Sequence, residues 1–198
     1  KTKGSGHGLG PGTSGSLTDP EALFKSYAAF NREASSLDFI QETRRLEGPS
    51  LSAKFMRGFP TWKKDMKRMN DTRGSPLWLI LCPSAERVLA ILKELKEFRK
   101  FAKFGKLFSR HMKVQEQVHF LKTSTVHIAI GTPARVLKLA EVGSLKLDKV
   151  KVLFFDNTVD KKERTILTLK DIQKDLWTFY ENHMDKHVKA NQCQVALL

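Results

Sequence analysis

The chain has 198 residues, 40% of them hydrophobic, enough for one large domain with a real core. Its apolar runs reach only about six residues, far short of the roughly 20 that a bilayer-spanning helix needs, so no membrane segment is expected. The 35 Lys and Arg outnumber 21 acids for a net charge of +14, which favours a polyanionic partner, RNA or DNA ahead of an anionic membrane. Cys82 and Cys193 lie in or beside apolar runs, the placement of reduced core thiols in an intracellular protein.

Residues 1–16 carry six glycines and no apolar periodicity, and read as a disordered linker. Thr18 or Asp19 can cap a helix that has Pro20 in its first turn and runs to about Glu33, with Leu23, Phe24, Tyr27 and Phe30 on one face. A second short helix is expected from Ser36 to Arg45, which makes residues 17–46 a helical extension and residues 47–198 the main domain. After Gly48-Pro49, residues 51–70 show helical spacing, broken at Gly58 and Pro60, with a turn at Asp71 to Ser75. Leu77 to Cys82 is an unalternating apolar run, the pattern of a strand buried on both faces. Ser84 caps a helix expected from Ala85 to about Lys103, and Gly105 stops it. Lys106 to Ser109 is a weak strand candidate and Lys113 to Lys122 a short helix. Val126 to Ile130 and Val150 to Phe155 are strong strands, separated by a helix over Pro133 to Val142 with Gly143 at its end. Helices are expected over Lys161 to Leu169 and Lys170 to Ala190, and Gln194 to Leu198 closes the chain as a strand. Solidly apolar strands alternating with helices imply an α/β three-layer sandwich with a mostly parallel sheet.

In such a sheet, ligands sit where the strands end, so the residues there carry the functional question. A phosphate loop needs the spacing G-x-x-x-x-G-K-[ST], and no such string occurs. The nearest approach is Gly48-Pro49-Ser50-Leu51-Ser52. Ser52 can stand for the metal-holding hydroxyl, but Leu51 occupies the lysine position and Pro49 removes a backbone donor. Asp156 ends a strand where a carboxylate could meet magnesium. Its neighbour Asn157 cannot serve as the acid that hydrolysis requires, and the plainer reading is that Asp156 caps the following turn. His183 and His187 have i, i+4 spacing, with Cys193 nearby, but His183 lies on an apolar stripe and no metal is expected. No nucleophile, base and acid arrangement stands out. The basic stretches at Lys63 to Arg73 and Arg87 to Lys113 remain open to two readings: phosphate contact, or a face turned to water and acidic proteins.

Gly131-Thr132-Pro133-Ala134-Arg135, after a strand and before a helix, resembles the T-P-G-R motif of DEAD-box RNA helicases. Pro83-Ser84-Ala85-Glu86 resembles their P-T-R-E-L-A motif, and Asp156-Asn157-Thr158-Val159 stands at the D-E-A-D position with only the first Asp kept. The resemblance covers roughly residues 47–198 and one RecA-like lobe of the two in a helicase. The segments LWLILCPSAERVLAIL, FSRHMKVQEQVHFL, VHIAIGTPARV and KVLFFDN are similar, in order and spacing, to the Cms family of ribosomal small-subunit homologues, single-lobe DEAD-box relatives of the small-subunit processome. That resemblance implies a nuclear and nucleolar ribosome-assembly factor without catalytic residues or cofactor, taking pre-ribosomal RNA and assembly proteins as partners and no small-molecule substrate. Carried over position by position, it nominates Pro83, Ser84, Thr132 and Arg135 for RNA-backbone contact, with Arg87 added for its charge. It leaves Gly48, Leu51, Ser52, Asp156 and Asn157 as a degenerate nucleotide site. Two alternatives stay open: a helicase lobe completed by a second lobe elsewhere, and a scaffold that binds only protein.

Overall fold

Four short runs of apolar residues pair into the centre of a parallel sheet in the computed structural model, which describes residues 20–35, 43–69 and 73–198. They are β2 (Trp78–Leu81), β4 (Ile128–Gly131), β5 (Val152–Phe155) and β6 (Gln194–Leu197). Two edge strands, β1 (Thr43–Arg45) and β3 (Phe104–Leu107), complete the order β1-β6-β5-β2-β4-β3, with every pairing parallel. Alternate residues of each strand face opposite layers. Leu79, Leu81, Ala129, Leu153, Phe155 and Val195 join one apolar cluster, and Trp78, Ile80, Ile130, Val152, Phe154 and Ala196 join the other. A strand buried on both faces has no polar alternation to display, which is why these runs are solidly apolar.

The helices divide between the faces. On the first lie α1 (Pro20–Phe30), α5 (Val114–Thr123), α6 (Pro133–Glu141), α7 (Lys170–Phe179) and α8 (Asp185–Lys189). On the second lie α2 (Leu51–Gly58), α3 (Trp62–Arg68) and α4 (Ala85–Glu94). Aromatic packing anchors both. Phe55 stacks on Phe154 with centroids 4.6 Å apart and meets Trp78 edge-on at 5.2 Å. Tyr27 of α1 packs on Trp177 at 5.2 Å and on Tyr180 at 5.1 Å, and Ser26 Oγ donates to the Leu167 carbonyl at 2.8 Å. The first helix is therefore fastened to the sandwich by both rings and a hydrogen bond.

Several expectations need correction. Thr43–Arg45 is an edge strand paired with Val195–Leu197, not the end of a helix, so the sheet begins before residue 47 and the division at residues 46 and 47 cuts it. Three residues with two exposed arginines give an edge strand no hydrophobic signature. The helix from Ala85 ends at Glu94 and gives way to a 3₁₀ turn at Lys96–Lys100, and Gly105 lies inside β3 rather than ending a helix. A Cβ at Gly105 would come within 2.9 Å of Val126 Cγ1. Residues 161–169 form turns: Asp160 accepts from the backbone of Lys162 and Arg164 at 2.8 and 2.9 Å and from the Arg164 side chain. The long final helix is interrupted by a π-turn at Tyr180–Met184. The linker at 1–16, the caps Thr18 and Asp19, residues 36–42 of the helix expected from Ser36 to Arg45, and Asp71-Thr72 of the turn lie outside the described residues.

One packing detail sets a pH dependence. His127 Nδ1 accepts from the Lys103 amide at 3.0 Å, a bond that protonation at Nδ1 destroys. Burial, and then the Lys103 charge, push the imidazole below its ordinary 6.5. A histidine with a depressed folded-state pKa contributes its full share of stability above 6.5 and loses it as pH falls from there through the folded value. Urea midpoints should therefore fall between pH 7.5 and 5, and His127→Asn, whose side-chain oxygen can still accept, should flatten part of that fall. An unchanged slope in the variant contradicts this role.

Candidate functional site at the carboxyl edge of the sheet

All six strands run parallel, so their carboxyl ends share one edge. Leu81 and Gly131 are register partners, and Cys82 N donates to the Gly131 carbonyl at 2.8 Å. The loops that begin at Pro83 and Thr132 therefore leave the sheet side by side. Asp156 follows on the other flank of β2, its amide donating to the Leu81 carbonyl at 2.9 Å. The topology thus gathers the residues that the motifs nominate.

The positions that the resemblance assigns to a nucleotide are taken up by the protein's own contacts. Between β1 and α2, Ser50 caps the helix by accepting from the Ala53 amide at 3.2 Å. Leu51 is buried in the apolar cluster beneath, and Ser52 Oγ donates to the Glu94 carbonyl at 2.7 Å. The Ser52 hydroxyl is thus spent on a neighbouring helix end. Gly48 lies close over the first turn, where an added Cβ would meet the Lys54 nitrogen at 2.9 Å.

Asp156 is fully buried, and both its oxygens are engaged. Arg87 Nε donates to Oδ2 at 2.7 Å and Arg87 Nη2 to Oδ1 at 2.9 Å, a two-pronged pair. Thr158 Oγ1 donates to Oδ1 at 2.6 Å and receives Arg87 Nη2 at 3.1 Å. The pair with Asp156 raises the proton affinity of Arg87, and burial with the nearby Asp156 charge holds the Cys82 thiol well above its ordinary range. Asn157 is fully buried beside it. A small cavity of about 340 Å³ outside the pair is lined by Pro83, Ser84, Arg87, Thr158 and Asp160.

The two arginines nominated for RNA are both committed inside the fold. Arg87 begins in the first turn of α4, where its amide donates to the capping Ser84 Oγ at 3.3 Å, and its side chain folds back onto Asp156. Arg135 is only 9% exposed. Its Nη1 donates to the Met112 carbonyl at 2.9 Å and to Gln117 Oε1 at 2.7 Å. Gln117 Nε2 in turn donates to the carbonyls of Lys106 and Phe108 at 2.9 and 3.1 Å. Arg135 and Gln117 together tie α6, α5 and the segment after β3. Pro83, Ser84 and Thr132 remain half-exposed, and Thr132 starts α6 without a side-chain cap bond. Gln117 and Thr158 are given no role by the motifs, although Thr158 lies within the D-E-A-D-like stretch; their positions opposite two buried charged groups reveal them. His183 packs on Phe179 at 5.8 Å, and His187 Nδ1 lies 3.1 Å from Gln192 Oε1.

The sheet order and the two covered faces define a RecA-like α/β sandwich, the fold of the first lobe of DEAD-box helicases. Saccharomyces cerevisiae Dbp5 L327V bound to RNA and ADP BeF3 matches with a TM-score of 0.51 at 18% identity, over 92% of this chain and 45% of that one. The same Dbp5 variant bound to Nup159, Gle1 H337R, IP6 and ADP matches with a TM-score of 0.50, also at 18% identity, over 90% and 45%. Within that fold, residues 36–198 match the CMS1 family, described as U3-containing 90S pre-ribosomal complex subunit, and the chain belongs to that family. Human Protein CMSS1 is 37% identical over 149 residues, covering 75% of this chain and 53% of its own length. Chaetomium thermophilum Protein CMS1 is 30% identical over 163 residues, covering 81% and 62%. The chain spans about half the length of the vertebrate relatives it matches.

Proposed function

We propose that the chain is a catalytically inactive helicase-like lobe that acts as a binding module in small-subunit ribosome biogenesis, in the nucleolar 90S pre-ribosome. The observation that carries this reading is the Arg87–Asp156 pair. The one carboxylate kept at the D-E-A-D position is buried and neutralised by a guanidinium, which leaves it no free oxygen for a metal ion. Leu51 supplies no cation for phosphate, and Asn157 supplies no acid for water. The same positions argue against a lobe that a second lobe would complete into an ATP-driven helicase.

Pre-ribosomal RNA is the partner that the charge of +14 supports, with contact through the half-exposed loops at Pro83, Ser84 and Thr132. Because Arg87 and Arg135 are engaged internally, this contact rests on loop backbone and neighbouring exposed cations such as Lys113 rather than on those two guanidiniums. Titration with a structured RNA at several salt concentrations tests it. If about four phosphates are neutralised, affinity should fall roughly a hundredfold between about 50 and 200 mM salt. Thr132→Glu, at a half-exposed helix start, should weaken RNA binding at least about tenfold without loss of folding. Absence of RNA binding at low salt leaves the protein-only scaffold, which the inward commitment of both arginines favours.

A further inference from the structure

A surface that adjoins the carboxyl-edge loops on the side of α4 and β3 combines features that neither a water-facing helix nor an RNA platform needs. Leu89 points outward from α4 with 45% of its surface exposed. It forms the ridge between two adjoining hollows of about 510 Å³ each. The first has Leu92 and Phe104 in its floor and Lys93, Arg99 and Lys106 on its rim. The second continues past Leu89 over Phe108 and Met112, with Arg110 at its end. Every charged residue lining either hollow is cationic. Among the described residues, Lys93 and Lys106 have no acidic partner, while Arg99 donates to the Leu92 carbonyl at 3.3 Å. Arg110 pairs with Glu86 at the far end.

We infer that this groove is a docking site for an acidic amphipathic segment of a partner protein, whose apolar side chains cover Leu89 and the floor while its carboxylates meet the lysine rim. An apolar groove of this kind takes a helix that presents anchors at i, i+3, i+4 and i+7. The rim sets the sign of the occupant's charge and adds on-rate and register. A second copy of this chain is disfavoured because each carries a net charge of +14. RNA is disfavoured because the exposed ridge is the aliphatic Leu89, which offers a base no plane to stack on, and Phe108 is buried. The inference does not depend on RNA contact by the Pro83 and Thr132 loops, and the two can fail separately.

A panel of fluorescent 16-residue helical peptides tests it, each carrying leucines at i, i+3, i+4 and i+7 with glutamates elsewhere, against scrambled peptides of the same composition. Binding to the full chain is read by anisotropy, and its place by shifts of the Leu89 methyl resonances. The expected result is that patterned peptides bind at least about tenfold more tightly than scrambled ones and shift Leu89. Leu89→Asp on the exposed helix face should abolish that preference, and Lys93→Glu with Lys106→Glu should weaken binding at least about tenfold while Leu89→Met retains it. Equal binding of patterned and scrambled peptides, binding unaffected by Leu89→Asp, absence of binding by every peptide, or displacement of the Leu89 shifts by single-stranded RNA alone would each overturn it. Thr132 lines neither hollow, so the RNA titration of Thr132→Glu can fail or succeed separately from the peptide assay.

Discussion

Arg87→Ala should destabilise the protein by about 3 kcal/mol, more than the reverse truncation Asp156→Ala. Removing the guanidinium strands a carboxylate with no exposure in the middle of the sheet edge, and an unpaired buried charge costs about 3 to 5 kcal/mol. Among the described residues, Thr158 is the side chain that remains to hydrogen-bond it. The lower end of that range applies because the Arg87 side chain is 30% exposed, so water can enter the space it leaves. Asp156→Ala leaves a cation that still has solvent and Glu94, whose Oε1 lies 3.9 Å from Arg87 Nη1, and should cost about half as much. Urea unfolding of both single variants and the double variant measures the asymmetry. Equal losses, or a larger loss for Asp156→Ala, would mean that Arg87 does not neutralise a buried carboxylate. A double variant close in stability to Asp156→Ala is the matching expectation, since once the carboxylate is gone Arg87 has little left to neutralise.

The second large effect lies at Arg135, the residue whose motif position invites an RNA experiment. Arg135→Glu places a carboxylate against the Met112 carbonyl and Gln117 Oε1, two acceptors that now receive a guanidinium. It breaks a buried charge-assisted network, and a loss of about 3 kcal/mol is expected. Gln117 holds the carbonyls of Lys106 and Phe108, so the strain should spread into β3 and the segment after it. Amide exchange should speed up over residues 106–113 in the variant, even without RNA. A fully stable variant with unchanged exchange would place Arg135 outside the framework. Loss of RNA binding in Arg135→Glu would therefore report the loop's integrity and not a lost phosphate contact, which is why Thr132→Glu is the cleaner probe.

The central strands could be read directly from sequence because each is apolar on both faces, and Ser84 and Pro133 mark helix starts by ordinary capping chemistry. The family likeness placed Asp156 and Thr132 at strand ends, and the sheet has them there. The edge strands were not legible. β1 has exposed Arg44 and Arg45, and β3 contains Gly105, which reads as a helix stop until Val126 is seen against it. Charged side chains were the least legible of all. Nothing in local spacing says that Arg87 reaches 69 residues along the chain to Asp156, or that Arg135 turns inward to Gln117. Motif position tells where a residue starts; its partners come from the packing of distant segments.

The claim that the helicase edge has become a closed binding module is tested most directly by calorimetric titration of the intact chain with ATP and magnesium, together with a phosphate-release assay in the presence of RNA. Leu51, the Ser52–Glu94 bond and the Arg87–Asp156 pair predict no saturable heat and no turnover above the protein-free rate. Saturable ATP binding accompanied by RNA-stimulated phosphate release would contradict it.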